Sequence, residues 1–188
     1  VGLGAGSVAA YAKAYQNFDI YEIDPVVAQI AQDPSYFTFL TDCQGTCKII
    51  LGDGRLTLAE AEPKRYALIV LDAYSSDSVP VHMLTKEALA IFTEKLADDG
   101  VLAFHVSNKY LDLRRVVGAL AHDAGMVAYK ARHSVAGNQK LKDLRVSTSD
   151  WVVVARKKEH LRSLLQDPLF QRMKPQRDPD LIWTDDFA

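Results

Sequence analysis

The chain has 188 residues, 48 % hydrophobic and 24 % charged, with 22 basic against 24 acidic side chains for a net charge of −2. This is the balance of one sizeable globular domain, residues 1–188. It offers no basic footprint for nucleic acid, and no apolar run reaches the roughly 18 residues that a membrane span needs.

In chain order, three glycines open the sequence in VGLGAGSVAAYAKAY (1–15), and an amphipathic run follows them. FDIYEID (18–24) reads as a strand and PVVAQIAQ (25–32) as a helix with proline in its first turn. CKIILGD (47–53) is a strand ending in a glycine turn, and RLTLAEAE (55–62) a helix. YALIVLDAY (66–74) is nearly all apolar, as expected of a central parallel strand buried on both faces. HMLTKEALAIFTEKLADDG (82–100) predicts a helix closed by Gly100. VLAFHVS (101–107) is a buried strand, and DLRRVVGALAHDAG (112–125) a helix ending at glycine. MVAYKAR (126–132) and DWVVVARK (150–157) are the last strands, joined by the polar stretch 134–149, and EHLRSLLQ (159–166) is a short helix. Strand–helix alternation with short connections implies a mostly parallel sheet with helices on both faces, and the two closing strands imply one antiparallel pair.

The two cysteines, Cys43 and Cys47, do not form C-x-x-C, and no second ligand pair follows, so no zinc site is expected. They read as two thiols flanking a strand start, with a local disulfide as the alternative; free thiols fit a cytoplasmic protein. No pair among the five histidines has metal-ligand spacing, so no metal is expected.

Candidate site residues gather at the carboxyl ends of the strands, where open α/β sheets bind ligands. Gly2, Gly4 and Gly6 make G-x-G-x-G followed by Ser7. A dinucleotide fingerprint would put its third glycine where Ser7 stands, so the loop leans from NAD toward S-adenosylmethionine. Glu22, 20 residues after Gly2, ends the next strand and can accept both ribose hydroxyls. Asp24 beside Pro25 reads as a helix start. Asp53 can accept from an adenine amino group while Gly54 allows the close turn; the alternative is a helix cap. After the apolar strand come Asp72, Tyr74, Ser75 and Asp77. Asp72 and Asp77 are the candidate catalytic carboxylates, able to hold and deprotonate an amine. Tyr74, Ser75 and His105 are candidates for contacting the substrate. Trp151 reads as packing.

GLGAGSVAAYA, YEIDP, YFTFL, GDGR, LDAYSSDSVPVHMLTKEAL, FHVSNKYLDL and IWTDDF together resemble the spermidine synthase-like proteins, most of all the branch often fused to a major-facilitator-type membrane region. The resemblance implies the Rossmann-like class I S-adenosylmethionine methyltransferase fold, with seven strands and the last one antiparallel. It implies S-adenosylmethionine or its decarboxylated form as co-substrate, a small amine or polyamine as acceptor, and a fused membrane region in the full chain; a homodimer is an open assembly. Polyamine aminopropyltransferases resemble G-G-G-D-G in the glycine loop, where this chain has Ala5, and D-S-S-D-P in the catalytic loop, where Asp77 matches only across a two-residue insertion. Three readings follow: aminopropyl transfer to a polyamine, methyl transfer to a small molecule, or a non-catalytic nucleotide sensor of a larger membrane protein. Val1 alone precedes the first glycine, so the strand leading into the loop is expected to be clipped and the chain to be a fragment of a longer one.

Overall fold

Phe18, Ile20 and Tyr21 favour strand β1, Asn17–Glu22, and the β-branched Thr46, Ile49 and Ile50 favour strand β2, Thr46–Leu51. The two pair in parallel, from Asn17 opposite Thr46 to Glu22 opposite Leu51. Between them runs helix α1, Pro25–Gln32, where Pro25 sits in the first turn and its missing N–H has no helical partner to lose. Asp24 caps α1, its carboxylate accepting from the Val26 N–H at 2.8 Å. The small buried Ala28 and Ala31 of α1 pack with Leu3 and Ile20, and half-buried Phe18, Leu40, Cys47 and Ile49 complete that core. Helix α2, Gly54–Ala59, follows β2 and is capped by Asp53.

These elements belong to the first of two compact units, Val1–Ala61 and Glu62–Ala188. The computed structural model describes residues 1–73, 80–144, 146–175 and 178–186, with Lys142 described by its backbone alone.

The first unit departs from expectation twice. The amphipathic run after the glycines is a five-residue 3-10 helix, Ser7–Tyr11, with Ala9 buried and Tyr11 80 % exposed; one buried residue gives too little apolar face to support a longer helix. The two cysteines are joined: a Cys43–Cys47 disulfide closes the turn into β2, its Cα atoms 6.5 Å apart. The expectation of free thiols is corrected, because the turn returns Cys47 to Cys43, and the case for a reducing compartment loses that premise. Closing so short a loop is worth about 2 kcal/mol by chain entropy. The Cys43→Ser, Cys47→Ser double variant is therefore expected to be less stable by that amount in denaturant titration, with no further loss on adding reductant.

In the second unit, strands β3 (Tyr66–Leu71) and β4 (Leu96–His105) pair in parallel. β5 (Val127–His133), β6 (Ser149–Ala155) and the two-residue β7 (Gln171–Arg172) complete a sheet of order β3-β4-β6-β5-β7. β6 reverses direction through 134–148 rather than crossing over a helix, and it inserts between β4 and β5. The expected antiparallel pair β5–β6 is present, and the insertion makes β4–β6 antiparallel too. Helix α3 (Lys86–Lys95) follows β3, and helix α4 (Leu113–Asp123) packs on β5 and β6 with its buried Leu113, Val116, Val117 and Leu120. Gly125, at φ 69, closes α4: Met126 N–H bonds Ala121 O at 2.8 Å. A short helix α5 (Gln139–Asp143) lies in the long polar loop. Tyr129, Val153, Ala155 and Leu161 form a second core with Val101, Val127 and Phe170 against it.

Three sequence expectations fail here. The predicted helix 82–100 begins at Lys86, capped by Thr85, and stops at Lys95. Its end is capped from afar: the Arg156 guanidinium donates to Thr93 O at 2.6 Å, Ala97 O at 2.6 Å and Leu96 O at 3.3 Å. Gly100 lies in β4 instead, where a Cβ would come within 2.7 Å of the Leu96 side chain. Among the described residues β3 ends its sheet, where a central strand was expected, with Leu68 55 % exposed. EHLRSLLQ forms two 3-10 turns, Lys158–Leu161 and Leu164–Gln166, in place of one helix. Among the described residues, no helix is long and apolar enough to cross a membrane.

Candidate active site

In the first unit the glycine loop, Glu22 and the β2–α2 turn converge. Gly2, Gly4 and Gly6 have φ of 91°, 51° and 80°, a region that disfavours side chains. At Gly6 an added Cβ would press within 3.1 Å of Leu40 Cγ, so packing also demands glycine. At Gly4 it would meet nothing within 4 Å, which leaves open space where a ligand can approach the backbone.

Glu22 is the last residue of β1 and only 9 % exposed. Its Oε2 accepts from the Leu3 N–H at 3.0 Å and its Oε1 from the Asp24 N–H at 2.9 Å. Gly2 N–H bonds Tyr21 O, and Gly52 N–H bonds Glu22 O, both at 2.9 Å. One carboxylate thus ties the glycine loop to the end of β1, and each oxygen keeps a second lone pair for a hydroxyl donor. Asp53 caps α2: its Oδ1 accepts from the Arg55 and Leu56 N–H groups, both at 2.9 Å. The close turn expected at Gly54 is made at Gly52, with φ 139°, while Gly54 is the first residue of α2.

In the second unit Asp72 follows β3 directly and His105 ends β4; the register Leu71 opposite Phe104 makes them the next pair. Asp72 Oδ1 lies 2.6 Å from His105 Nδ1, and His105 Nε2 lies 2.7 Å from Ser107 Oγ. Ser107 Oγ in turn accepts from the Asp150 N–H at 2.8 Å. Trp151, the cross-strand partner of His105, stacks on its ring with centroids 4.8 Å apart and planes inclined by 20°. The Asp72 side chain is 41 % exposed and that of His105 23 %. Both ring nitrogens of His105, a candidate for contacting substrate, have protein partners. Asp77, Tyr74 and Ser75 lie outside the described residues. Sequence reasoning missed Ser107 and set Trp151 aside as packing. The signal for Ser107 was its place two residues beyond His105 at a strand end, on the same side of an extended chain.

No family model matches the chain. Over 107 residues it is 38 % identical to a polyamine aminopropyltransferase of Vibrio vulnificus, a match covering 54 % of this chain and 34 % of that protein. The chain thus spans about a third of the curated relative's length. The crystal structure of a probable spermidine synthase from Corynebacterium glutamicum superposes with a TM-score of 0.62 at 18 % identity, over 93 % of this chain and 64 % of that one. Human methyltransferase-like protein 13, solved in complex with SAH, superposes with a TM-score of 0.59 at 21 % identity, over 88 % of this chain and 76 % of that one. The likeness supports the fold and does not support a fused membrane region. The chain has a spermidine synthase-like α/β fold of the Rossmann-like, class I methyltransferase type.

Proposed function

We propose that the chain is a transferase that moves a carbon group from an S-adenosyl sulfonium donor to the nitrogen of an amine, with aminopropyl transfer to a polyamine as the leading reaction. The observation that carries this reading is the Glu22 carboxylate, buried beneath three left-handed glycines with lone pairs left for ribose hydroxyls. The polyamine aminopropyltransferase relative and the spermidine synthase-like fold support it. When bound, the donor supplies an electrophilic carbon whose bond to sulfur breaks as nitrogen attacks, leaving a neutral thioether. Gly2, Gly4 and Gly6 give the adenosyl group access to backbone, Glu22 takes the ribose, and Asp53 and Gly54 border the base. Asp72 holds the amine through charge and accepts the proton that the nitrogen sheds. Asp77, Tyr74 and Ser75 complete the amine contacts in this reading.

Ala5 favours a second reading, methyl transfer from S-adenosylmethionine. The aminopropyltransferase loop that this sequence resembles has an aspartate there for the donor's ammonium. Spermidine formation from putrescine is accordingly expected to be weak. Ala5→Asp is expected to shift donor preference toward decarboxylated S-adenosylmethionine by about 1.5–3 kcal/mol, the worth of a hydrogen bond to a charged group. The check is product formation from each donor, wild type against variant; an unmoved preference contradicts the assignment of position 5.

The adenosyl site itself is tested by thermal shift with methylthioadenosine, S-adenosylmethionine and its decarboxylated form. A ligand at 100 times its Kd should add about 2.7 kcal/mol of stability. No shift with any of the three would overturn the proposal.

A further inference from the structure

The four-group chain Asp150–Ser107–His105–Asp72 has a direction. The Asp150 N–H can only donate, so Ser107 Oγ accepts from it at 2.8 Å. The serine's own proton is then free to point at His105 Nε2, 2.7 Å away. A neutral imidazole that accepts at Nε2 carries its proton on Nδ1. On that tautomer the Nδ1 proton points at Asp72 Oδ1, 2.6 Å away. Trp151 lies flat against the ring and limits its rotation.

We infer that His105 and Ser107 are positioning residues for Asp72: they fix the Nδ1–H tautomer, which occupies Oδ1 and leaves Oδ2 as the oxygen for the incoming amine. The inference rests on the reading that Asp72 meets the amine. The same three side chains could be taken for a Ser–His–Asp nucleophilic triad. Two observations decide against that. The exposed end of the chain is the carboxylate, 41 % exposed against 23 % for the histidine. The hydroxyl oxygen is also already an acceptor for a backbone N–H, which holds it in place. The reactive end is therefore the acid, and the serine is the anchor.

Two variants separate the roles. His105→Phe keeps a flat ring against Trp151 but removes both nitrogens. His105→Asn keeps a donor near the position of Nδ1. With the donor saturating, His105→Phe is expected to lower kcat on the order of 10²-fold, the scale of a misplaced catalytic group. KM for the donor should stay within about twofold, since His105 is not among the groups proposed to hold the adenosyl moiety. His105→Asn should recover most of the loss. Nitrogen-15 imidazole spectra of the wild type, which need no turnover, should show His105 protonated at Nδ1 alone, and Ser107→Ala should mix the two tautomers.

An Nε2–H ring or an imidazolium in the wild type would overturn the inference. So would His105→Asn performing no better than His105→Phe when both melt like the wild type, or labelling of Ser107 by a fluorophosphonate. The two claims fail separately. If Asp72→Asn is inactive while His105→Phe is unimpaired, the positioning role falls and the transferase reading stands. If the wild type turns over no donor, the reading falls and the spectra still decide the tautomer.

Discussion

Asp72→Asn is expected to lower turnover by about 10²–10⁴-fold, the range contributed by a positioned general base. The substitution is nearly isosteric, and the amide oxygen can still accept the His105 Nδ1–H that Oδ1 receives at 2.6 Å. What disappears is the negative charge, and with it the group that draws the ammonium form of the acceptor and takes its proton. Asp72 is 41 % exposed, so the neutral amide leaves no buried polar group unsatisfied and the melting temperature should hardly move. Steady-state assays at saturating donor, with a denaturation control, provide the check. Turnover within twofold of the wild type would remove Asp72 from the chemistry. Methylthioadenosine affinity should be unchanged, because the groups proposed to hold the adenosyl moiety lie in residues 2–54.

Glu22→Gln is expected to act on binding instead. A carboxylate that accepts ribose hydroxyls becomes a neutral amide, and losing hydrogen bonds to a charged group costs about 1.5–3 kcal/mol, roughly 10- to 150-fold in Kd. A structural loss adds to this. Glu22 receives backbone N–H groups on both oxygens, from Leu3 and from Asp24. Glutamine has one oxygen, so its NH₂ must face one of those donors, and an unsatisfied buried N–H costs about 1–3 kcal/mol. Calorimetric titration with methylthioadenosine, alongside a denaturant melt, measures both parts. Affinity equal to the wild type would place Glu22 outside the ligand site, whatever happens to stability.

The parts of this fold legible in the sequence were those whose causes are local. Asp24-Pro25 marks the start of α1 within two residues, and the capping bond to Val26 is made inside that turn. Glycines spaced one residue apart announce a left-handed loop, and all three have positive φ. What escaped was set by groups distant in sequence. The end of α3 is fixed by Arg156, whose reach to Thr93 and Ala97 depends on tertiary packing. Trp151 joins the Asp72–His105 pair, and the Asp150 N–H reaches Ser107, only once β6 is in register against β4. The disulfide depended on a turn that returns Cys47 to Cys43, which spacing left open. At Asp53 the sequence named both roles, adenine acceptor and helix cap, and only coordinates could show the two capping bonds.

The measurement that bears most directly on the proposed transferase is product identification by mass spectrometry. Wild-type protein would be incubated with a panel of amines, putrescine included, and with S-adenosylmethionine or its decarboxylated form. The expected result is a thioether nucleoside released in equal amount with an amine enlarged by the transferred group, strongly reduced in Asp72→Asn, with little spermidine from putrescine. Binding of the adenosyl ligands without any alkylated amine from either donor, across the whole panel, would contradict the transferase and leave a nucleoside-binding domain.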